Sequence, residues 1–322
     1  MAPVEPKARP ACIVVFLARG LKAGPEAAAG FFDSYDRHPA GWPHELVVLV
    51  KGWEGVPGLA AVKAQAAERG ARLLELPDDG LDFGAYFRAA EILEGDRLLF
   101  LNSHSRIRHD DWLKSLNLAL DGPGVGAVAC SASWNGLKIV TWADFWIALK
   151  YARLRLLLKA PLTMTKALLS RPGPPAFVNP HLRTNAFMTS RKLWLEFYRQ
   201  SRFPATKADC YGLEHGRQGF TRFLERKGLK PLVVGADGRG YEVADWADSG
   251  TFCSPGLANL LIHDNHSSIY LASSPAVWRA MEFGCWGRFL TYGSEPGIKA
   301  VVHNWRIALS RYLARRLGRP LA

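Results

Sequence analysis

Long apolar runs are missing from this sequence. No stretch approaches the roughly 18 uninterrupted apolar residues of a membrane-spanning helix. The first ten residues, MAPVEPKARP, lack the apolar centre of a secretory signal, so the expectation is a cytoplasmic protein. Cysteine is sparse and scattered: Cys12, Cys130, Cys210, Cys253 and Cys285 include no CxxC pair. That argues against a zinc ribbon or a disulfide framework and for free thiols in a reducing compartment. No GxGxxG follows the first apolar run and no GxxxxGK[ST] occurs anywhere, which disfavours a dinucleotide-binding domain and a P-loop. Acid is missing locally as well. Between Asp144 and Glu196 there are nine Lys or Arg and no acid, and after Glu295 there are six more and again none. Together they exceed the net charge of +12, so the rest of the chain is slightly acidic. Such segments suit an anionic membrane surface, nucleic acid or an anionic substrate, or form a solvated basic face. No nucleic-acid module accompanies them, so nucleic acid is not an expected partner.

What the sequence does have is rhythm. Cys12–Ala18 is an apolar run suited to a buried parallel strand, and PEAAAGFFDSYDRH follows as a helix opening at a Pro. Glu45–Val50 predicts a second strand, and GLAAVKAQAAERG an Ala-rich helix closed by Gly70. ARLLELP then predicts a strand, FGAYFRAAEIL a helix, Arg97–Asn102 a strand, DDWLKSLNLAL a helix and VGAVACS a fifth strand. Strand–helix alternation implies right-handed crossovers and a mainly parallel sheet flanked by helices, the α/β class. After Trp134 the pattern changes. Residues 142–170 predict a basic, aromatic helical insertion ended by RPGPP, and HLRTNAFMTSRKLWLEFYRQ a strand entering a helix. Residues 214–235 read as a helix, a Gly turn and a strand. The last twenty residues predict a basic amphipathic helix with Val301, Trp305, Leu309 and Tyr312 on one face. Four segments follow: 11–135, 136–180, 181–298 and 299–322.

In an open parallel sheet, ligands bind beyond the carboxyl ends of the strands. That singles out Arg19, Lys51, Asp78 to Gly84, Asn102 to Ser105 and Ser131. The stretch DDGLDFGAYFRAAEILEGDRLLFLNSHSRIRHDDWL, Asp78 to Leu113, resembles the nucleotide-binding half of family 2 glycosyltransferases. Within them it is most similar to the branch of rhamnan synthesis protein F-like enzymes. Asp79, Gly80, Asp82, Phe83, Gly84 and Tyr86 match that branch's turn, and the similarity covers roughly residues 11–135 well and the remainder loosely. It implies a GT-A-like fold and a nucleotide-sugar donor held by Arg19, Asp79, Asp82, Gly84, Asn102 and His104. It also implies transfer to a glycan or lipid-linked glycan in cell-surface polysaccharide synthesis.

The sequence departs from that family where an Asp-x-Asp triplet holds a divalent cation. Asn102-Ser103-His104 stands there, without either carboxylate. Either a softer ion such as Mn²⁺ replaces Mg²⁺, or cations such as Arg19, Lys51, Arg183 and Arg222 replace the metal. Arg183 and Arg222 are further candidates for acceptor or phosphate contacts. An inverting transfer needs a carboxylate to take the acceptor proton. In GLEHGRQGFTRFL, Glu214 matches the family's first acid and His215 replaces the second; Asp209 is in reserve. The plainer reading makes Glu214 a helix N-terminal acid. HDNH, His263 to His266, offers metal ligands, with His104 and His263 the candidates, or a hydrogen-bonded turn. The basic aromatic segments fit the inner face of a membrane or ordinary packing. Alternatives are a GT-A-like protein that binds nucleotide or glycan without turnover, and a membrane-surface scaffold.

Overall fold

The computed structural model describes residues 11–21, 23–136, 161, 178–287 and 290. These divide between two units. One comprises Met1–Ser133, Pro180–Phe252 and Leu257–Ser268; the other comprises Trp134–Asn179, Cys253–Gly256 and Ile269–Ala322.

The first unit carries an eight-stranded sheet. Its strands are β1 (Cys12–Arg19), β2 (Glu45–Lys51), β3 (Arg72–Glu75), β4 (Arg97–Leu101), β6 (Val125–Ala129), β9 (Ala186–Ser190), β10 (Lys230–Val234) and β11 (Gly240–Tyr241). The order across the sheet is β3-β2-β1-β4-β9-β6-β10-β11. Strands β3, β2, β1 and β4 run parallel, as do β6 and β10. Strand β9 lies antiparallel between β4 and β6, and β11 antiparallel beside β10. The expected α/β architecture is therefore present: a mostly parallel sheet flanked by helices. Two short pairs complete the strand set, β5 (Arg106–Ile107) with β12 (Ile262–His263) and β7 (Ala132–Ser133) with β8 (His181–Leu182).

Burial explains why these runs are strands. Every residue of β1 from Cys12 to Ala18 is buried, as a strand covered on both faces requires. On one face, α1 (Gly24–Arg37) stacks Phe31 on Phe16 at 3.8 Å between ring centroids. On the other, α3 (Leu81–Ile92) and α5 (Arg191–Arg199) build an aromatic core. There Trp194 lies 5.3 Å from Phe100, 5.1 Å from Phe187 and 4.9 Å from Phe220. Full burial of one such side chain contributes about 2–3 kcal/mol. The helices α2 (Leu59–Glu68) and α4 (Trp112–Leu120) fill the remaining crossovers.

The helix expected to start at residue 214 starts at Phe220, and residues 214 and 215 end a separate helix. Helix α6 (Lys207–His215) ends at Gly216, whose amide bonds the Gly212 carbonyl, and α7 (Phe220–Arg226) starts afresh. A Cβ at Gly219 would come within 2.8 Å of the Glu214 carbonyl oxygen, so glycine lets the chain turn sharply there. Glu214 thus sits in the last turn of α6, which corrects its reading as a helix N-terminal acid.

Helix α8 (Asn265–Leu271) begins in the first unit. In the second unit, α9 (Pro275–Trp286) buries Glu282, which accepts the Tyr270 hydroxyl at 2.7 Å. The insertion expected at 142–170, apart from Pro161, and the C-terminal helix expected after residue 299 lie outside the described residues. Among the described residues, no helix is long and apolar enough to cross a membrane.

Candidate active site

Reversal of β9 decides what gathers at one sheet edge. The parallel strands deliver their carboxyl ends there: Arg19 from β1, Lys51 from β2, and Asn102 just after β4. Antiparallel β9 delivers its beginning instead, so Arg183, Thr184 and Asn185 join the same edge. The Ala186–Leu101 pairing and the bond from the Asn102 amide to the Asn185 carbonyl, 2.9 Å, fix this register.

Lys51 is the buried anchor of the edge, with 2% of its surface exposed. Its ammonium donates to the carbonyls of Asp79 at 2.6 Å and Leu81 at 2.8 Å. These bonds hold a left-handed turn, Gly80 at φ 63° and Leu81 at φ 51°. A leucine in that region costs on the order of 1–2 kcal/mol, so the turn needs its anchor. Burial lowers the Lys51 pKa, and Asp78 opposes that shift. Arg19 reaches Asp78 Oδ1 at 3.2 Å, and its Nε is buried without a partner among the described residues.

Asp82 follows in the first turn of α3. Solvent still reaches Asp82, yet desolvation raises its pKa against the pull of Arg19 and Lys51. Glu214 and His104 act on it electrostatically, so α6 and the loop after β4 face the same space. The Tyr86 hydroxyl, one helical turn beyond Asp82, is fully buried without a hydrogen-bond partner among the described residues. Burial holds its pKa well above the usual value, and Asp82 and Glu214 add to the shift.

Glu214 is oriented by one residue. Its Oε1 accepts the Thr184 amide at 2.8 Å and the Thr184 hydroxyl at 3.1 Å. No described residue binds the other oxygen. Cys210 is under the influence of both Asp82 and Glu214, and its thiol is pushed up to about 11, chiefly by burial.

Several expected site residues have other employment. Asp79 pairs with Arg88 at 2.6 Å on the exposed side of the turn. Gly84 makes room for Phe203, whose ring would lie 2.8 Å from a Cβ there. Asp209 caps α6, accepting Thr206 and Ala205 amides at 2.7 and 3.0 Å. Arg183 is buried against Asp264 at 2.7 Å with its guanidinium 3.8 Å from the Phe252 ring centroid. Arg222 pairs with Glu225 on its own helix at 2.6 Å. The structure brings Arg19, Lys51, Asp82, His104 and Glu214 together, and it adds Thr184 and Asn185. Sequence reasoning missed these two because nothing local marks β9 as the reversed strand.

The cation question turns on Asn102. Its Oδ1 accepts the His104 amide at 3.1 Å and the Ser105 hydroxyl at 3.2 Å, closing a turn after β4. That oxygen is therefore engaged within its own loop. His263 bonds Ser267 at 2.8 Å and is influenced by Arg108, Asp264 and His109, not by Asp82 or His104. HDNH is thus a strand end and helix start, in which Asp264 Oδ1 accepts the Ser267 amide at 2.7 Å. Among the described residues, no three His, Cys, Asp or Glu side chains are placed to hold one metal ion. The residues present do not fit a protein-built metal cage; Asp82 and His104 are the donors that remain.

A cavity of about 440 Å³ opens at the opposite edge, lined by Arg97, Val125, Ser190, Lys192, Glu196 and Lys227 among others. Arg97 pairs there with Asp121 and Lys227 with Glu196, and this edge carries the amino ends of β4 and β6, away from the carboxyl ends where such sheets bind ligands.

No family model matches the sequence, and no curated protein does. Among solved structures, the mannosyltransferase PcManGT from Pyrobaculum calidifontis, in complex with GDP-Man and Mn²⁺, aligns at TM-score 0.44 and 14% identity. That alignment covers 98% of this chain and 77% of the other. Glucosyl-3-phosphoglycerate synthase from Mycobacterium tuberculosis, with Mn²⁺ and UDP, aligns at 0.33 and 20%, covering 57% and 58% of the two chains. The 4-diphosphocytidyl-2C-methyl-D-erythritol synthase from Anaerococcus prevotii aligns at 0.40 and 13%, covering 71% and 87%. Likenesses this remote say nothing of activity, and the site itself has to carry the functional reading.

Proposed function

We propose that the protein is a glycosyltransferase that moves a sugar from a nucleotide-sugar donor to a glycan or lipid-linked glycan, with inversion. The observation that supports this best is Glu214. Thr184 holds it by one oxygen, leaving the other to the cleft that Asp82 also faces. In the step we assign, the free oxygen of Glu214 takes the proton of an acceptor hydroxyl. The acceptor oxygen bonds the anomeric carbon as the bond from that carbon to the donor phosphate oxygen breaks. The nucleoside diphosphate leaves with the electron pair. Arg19 and His104 face the departing charge, and Asp82 meets the donor. Asp82 and His104 would hold a divalent cation, Mn²⁺ or Mg²⁺, which would supply charge neutralisation at the departing diphosphate.

The similarity of the Asp78–Leu113 segment to the rhamnan synthesis protein F-like branch favours cell-surface polysaccharide as the product. The basic segments favour the inner face of the cell membrane as the workplace. A second reading, binding of a nucleotide sugar without turnover, is favoured by the engagement of Asn102 Oδ1 inside its own loop.

The test is a thermal-shift screen of UDP-glucose, UDP-N-acetylglucosamine, GDP-mannose and dTDP-rhamnose with EDTA, Mg²⁺ or Mn²⁺, followed by assay of nucleoside diphosphate release. A native-state ligand at a hundredfold excess over its Kd stabilises by about 2.7 kcal/mol. We expect one nucleotide family to shift the transition, and Glu214→Gln to keep that shift while losing at least a hundredfold in release. Binding without release by the wild type, to water or to the glycan acceptors offered, would establish the second reading. Wild-type release by Glu214→Gln would remove Glu214 from the chemistry.

A further inference from the structure

Glu214 depends on a tripeptide that is itself gripped from behind. Arg183, Thr184 and Asn185 lead into β9, and only the middle residue touches Glu214. Its two neighbours both turn to one oxygen of Asp264: Arg183 Nη2 at 2.7 Å, and Asn185 Nδ2 alongside it. The Asp264 carboxylate is 4% exposed, and its second oxygen accepts the Ser267 amide at 2.7 Å at the start of α8. The tripeptide is pinned on its other sides as well. The Arg183 amide donates to the Ser131 carbonyl at 3.0 Å, its guanidinium reaches Ser131 Oγ at 3.2 Å, and the Asn185 carbonyl accepts the Asn102 amide at 2.9 Å.

Residues 184 and 185 form the turn that leads from β8 into β9, so the direction of Thr184 depends on what holds the residues on either side of it. A single carboxylate gripping residues 183 and 185 therefore fixes the direction in which Thr184 offers its hydroxyl. We infer that Asp264 is a positioning residue for Glu214: by clamping Arg183 and Asn185 it aims Thr184, and through Thr184 it sets the carboxylate of Glu214. Asp264 touches neither Glu214 nor the space where substrate would sit by any described contact, so its effect passes through the tripeptide. Asn185 has a second part in this arrangement, because its carbonyl also ties the clamp to Asn102 at the end of β4. The inference rests on the reading of Glu214 as the base.

The test compares Asp264→Asn, Asn185→Ala and Glu214→Gln, alone and combined, in the full chain. Asp264→Asn leaves Arg183 buried beside a neutral partner and can impair folding. Asn185→Ala removes one arm of the clamp and keeps the Arg183–Asp264 pair, so it stands in if the first variant does not fold. Two quantities are read: amide hydrogen exchange at Thr184, and kcat and KM for release of nucleoside diphosphate from the four nucleotide sugars above. We expect each clamp variant to speed Thr184 exchange at least tenfold. We expect kcat to fall at least tenfold with donor KM within twofold of wild type, and no further fall when the clamp variant is added to Glu214→Gln. Unchanged Thr184 exchange in a folded clamp variant would overturn the clamp, whatever the enzyme does. Multiplying effects with Glu214→Gln would overturn the link from clamp to Glu214. Full release by Glu214→Gln alone would instead overturn the base assignment, and the positioning role with it.

Discussion

Lys51 shows how one buried side chain can hold a strained turn in place. A lysine with no exposed side-chain surface is costly unless its charge is answered. Here two carbonyl oxygens of the 79–81 turn answer it, with Asp78 Oδ1 at 3.7 Å. Hydrogen bonds to charged groups contribute about 1.5–3 kcal/mol each, enough to offset a leucine at φ 51°. Lys51→Met keeps the length of the stem and loses both bonds. We expect urea denaturation to show a loss on the order of 3 kcal/mol, with weakened nucleotide-sugar binding because Asp82 loses its support. Lys51→Arg is expected to fail as a rescue, since a planar fork cannot replace a compact ammonium between those two carbonyls. Stability within 0.5 kcal/mol of wild type in Lys51→Met would show that the turn holds itself.

Helix α3 and the segment after α5 meet through glycines. At Gly80, which has φ 63°, and at Gly84, a Cβ would lie 2.5 Å and 2.8 Å from Phe203 Cζ. The Asp78 to Gly84 stretch therefore encodes a seat for an aromatic ring as well as a turn, and Arg88 covers that ring at 5.2 Å. Gly84→Ala forces Phe203 aside, and we expect it to cost about 1–3 kcal/mol in urea denaturation. Adding Phe203→Leu is expected to restore at least half of that loss, since the shorter side chain leaves the space the methyl needs. An additive double variant would show that the two do not compete. The same elements show what a sequence exposes. Strands β1, β2 and β4 were legible because apolar runs covered on both faces leave a compositional trace. The nearness of Asp82 to Arg19 and Lys51 was legible because all three lie at or after the carboxyl ends of parallel strands. The partnership of Thr184 with Glu214 was not, because it joins residues 30 positions apart through an antiparallel strand. The break at Gly216 was missed because the apolar spacing of FTRFL continues that of the preceding helix. The role of Asn102 as a turn residue depends on two bonds inside its own loop, and a triplet comparison weighs only the side chain's identity.

At the scale of the whole molecule, partly desolvated imidazoles shape the response to acid. His44, His109, His215, His263 and His266 all have lowered pKa values, with burial the leading cause in each. For His263 the value falls to about 4, with Arg108 adding to the effect of burial. A histidine held neutral in the folded chain binds fewer protons there than in the unfolded chain, whose imidazoles titrate near 6.5. Its contribution is thus fully present above about pH 6.5 and is lost as pH falls from there towards the folded value. For His263 that loss is on the order of 2 kcal/mol, reached by pH 4. Asp264 acts in a lower window. Burial tends to raise its pKa, but Arg183 outweighs that and holds it at about 2. Its contribution is present above the ordinary carboxylate range near 3.9 and disappears as pH drops through about 2. Stability should therefore be level between about pH 7 and 8, decline between about 6.5 and 4 through the histidines, and decline again below 4 as the Arg183–Asp264 pair is neutralised. His263→Asn keeps a polar group beside Ser267 and removes the titration. In urea denaturation at pH 7 and pH 4.5, we expect this variant to lose less stability between the two than wild type does, by on the order of 1–2 kcal/mol. The neutral-pH values of the two proteins do not enter that comparison, so a packing defect at residue 263 leaves it intact. Equal losses in the two proteins would mean that His263 titrates alike in the folded and unfolded chains, and that the acid response belongs to the other four histidines.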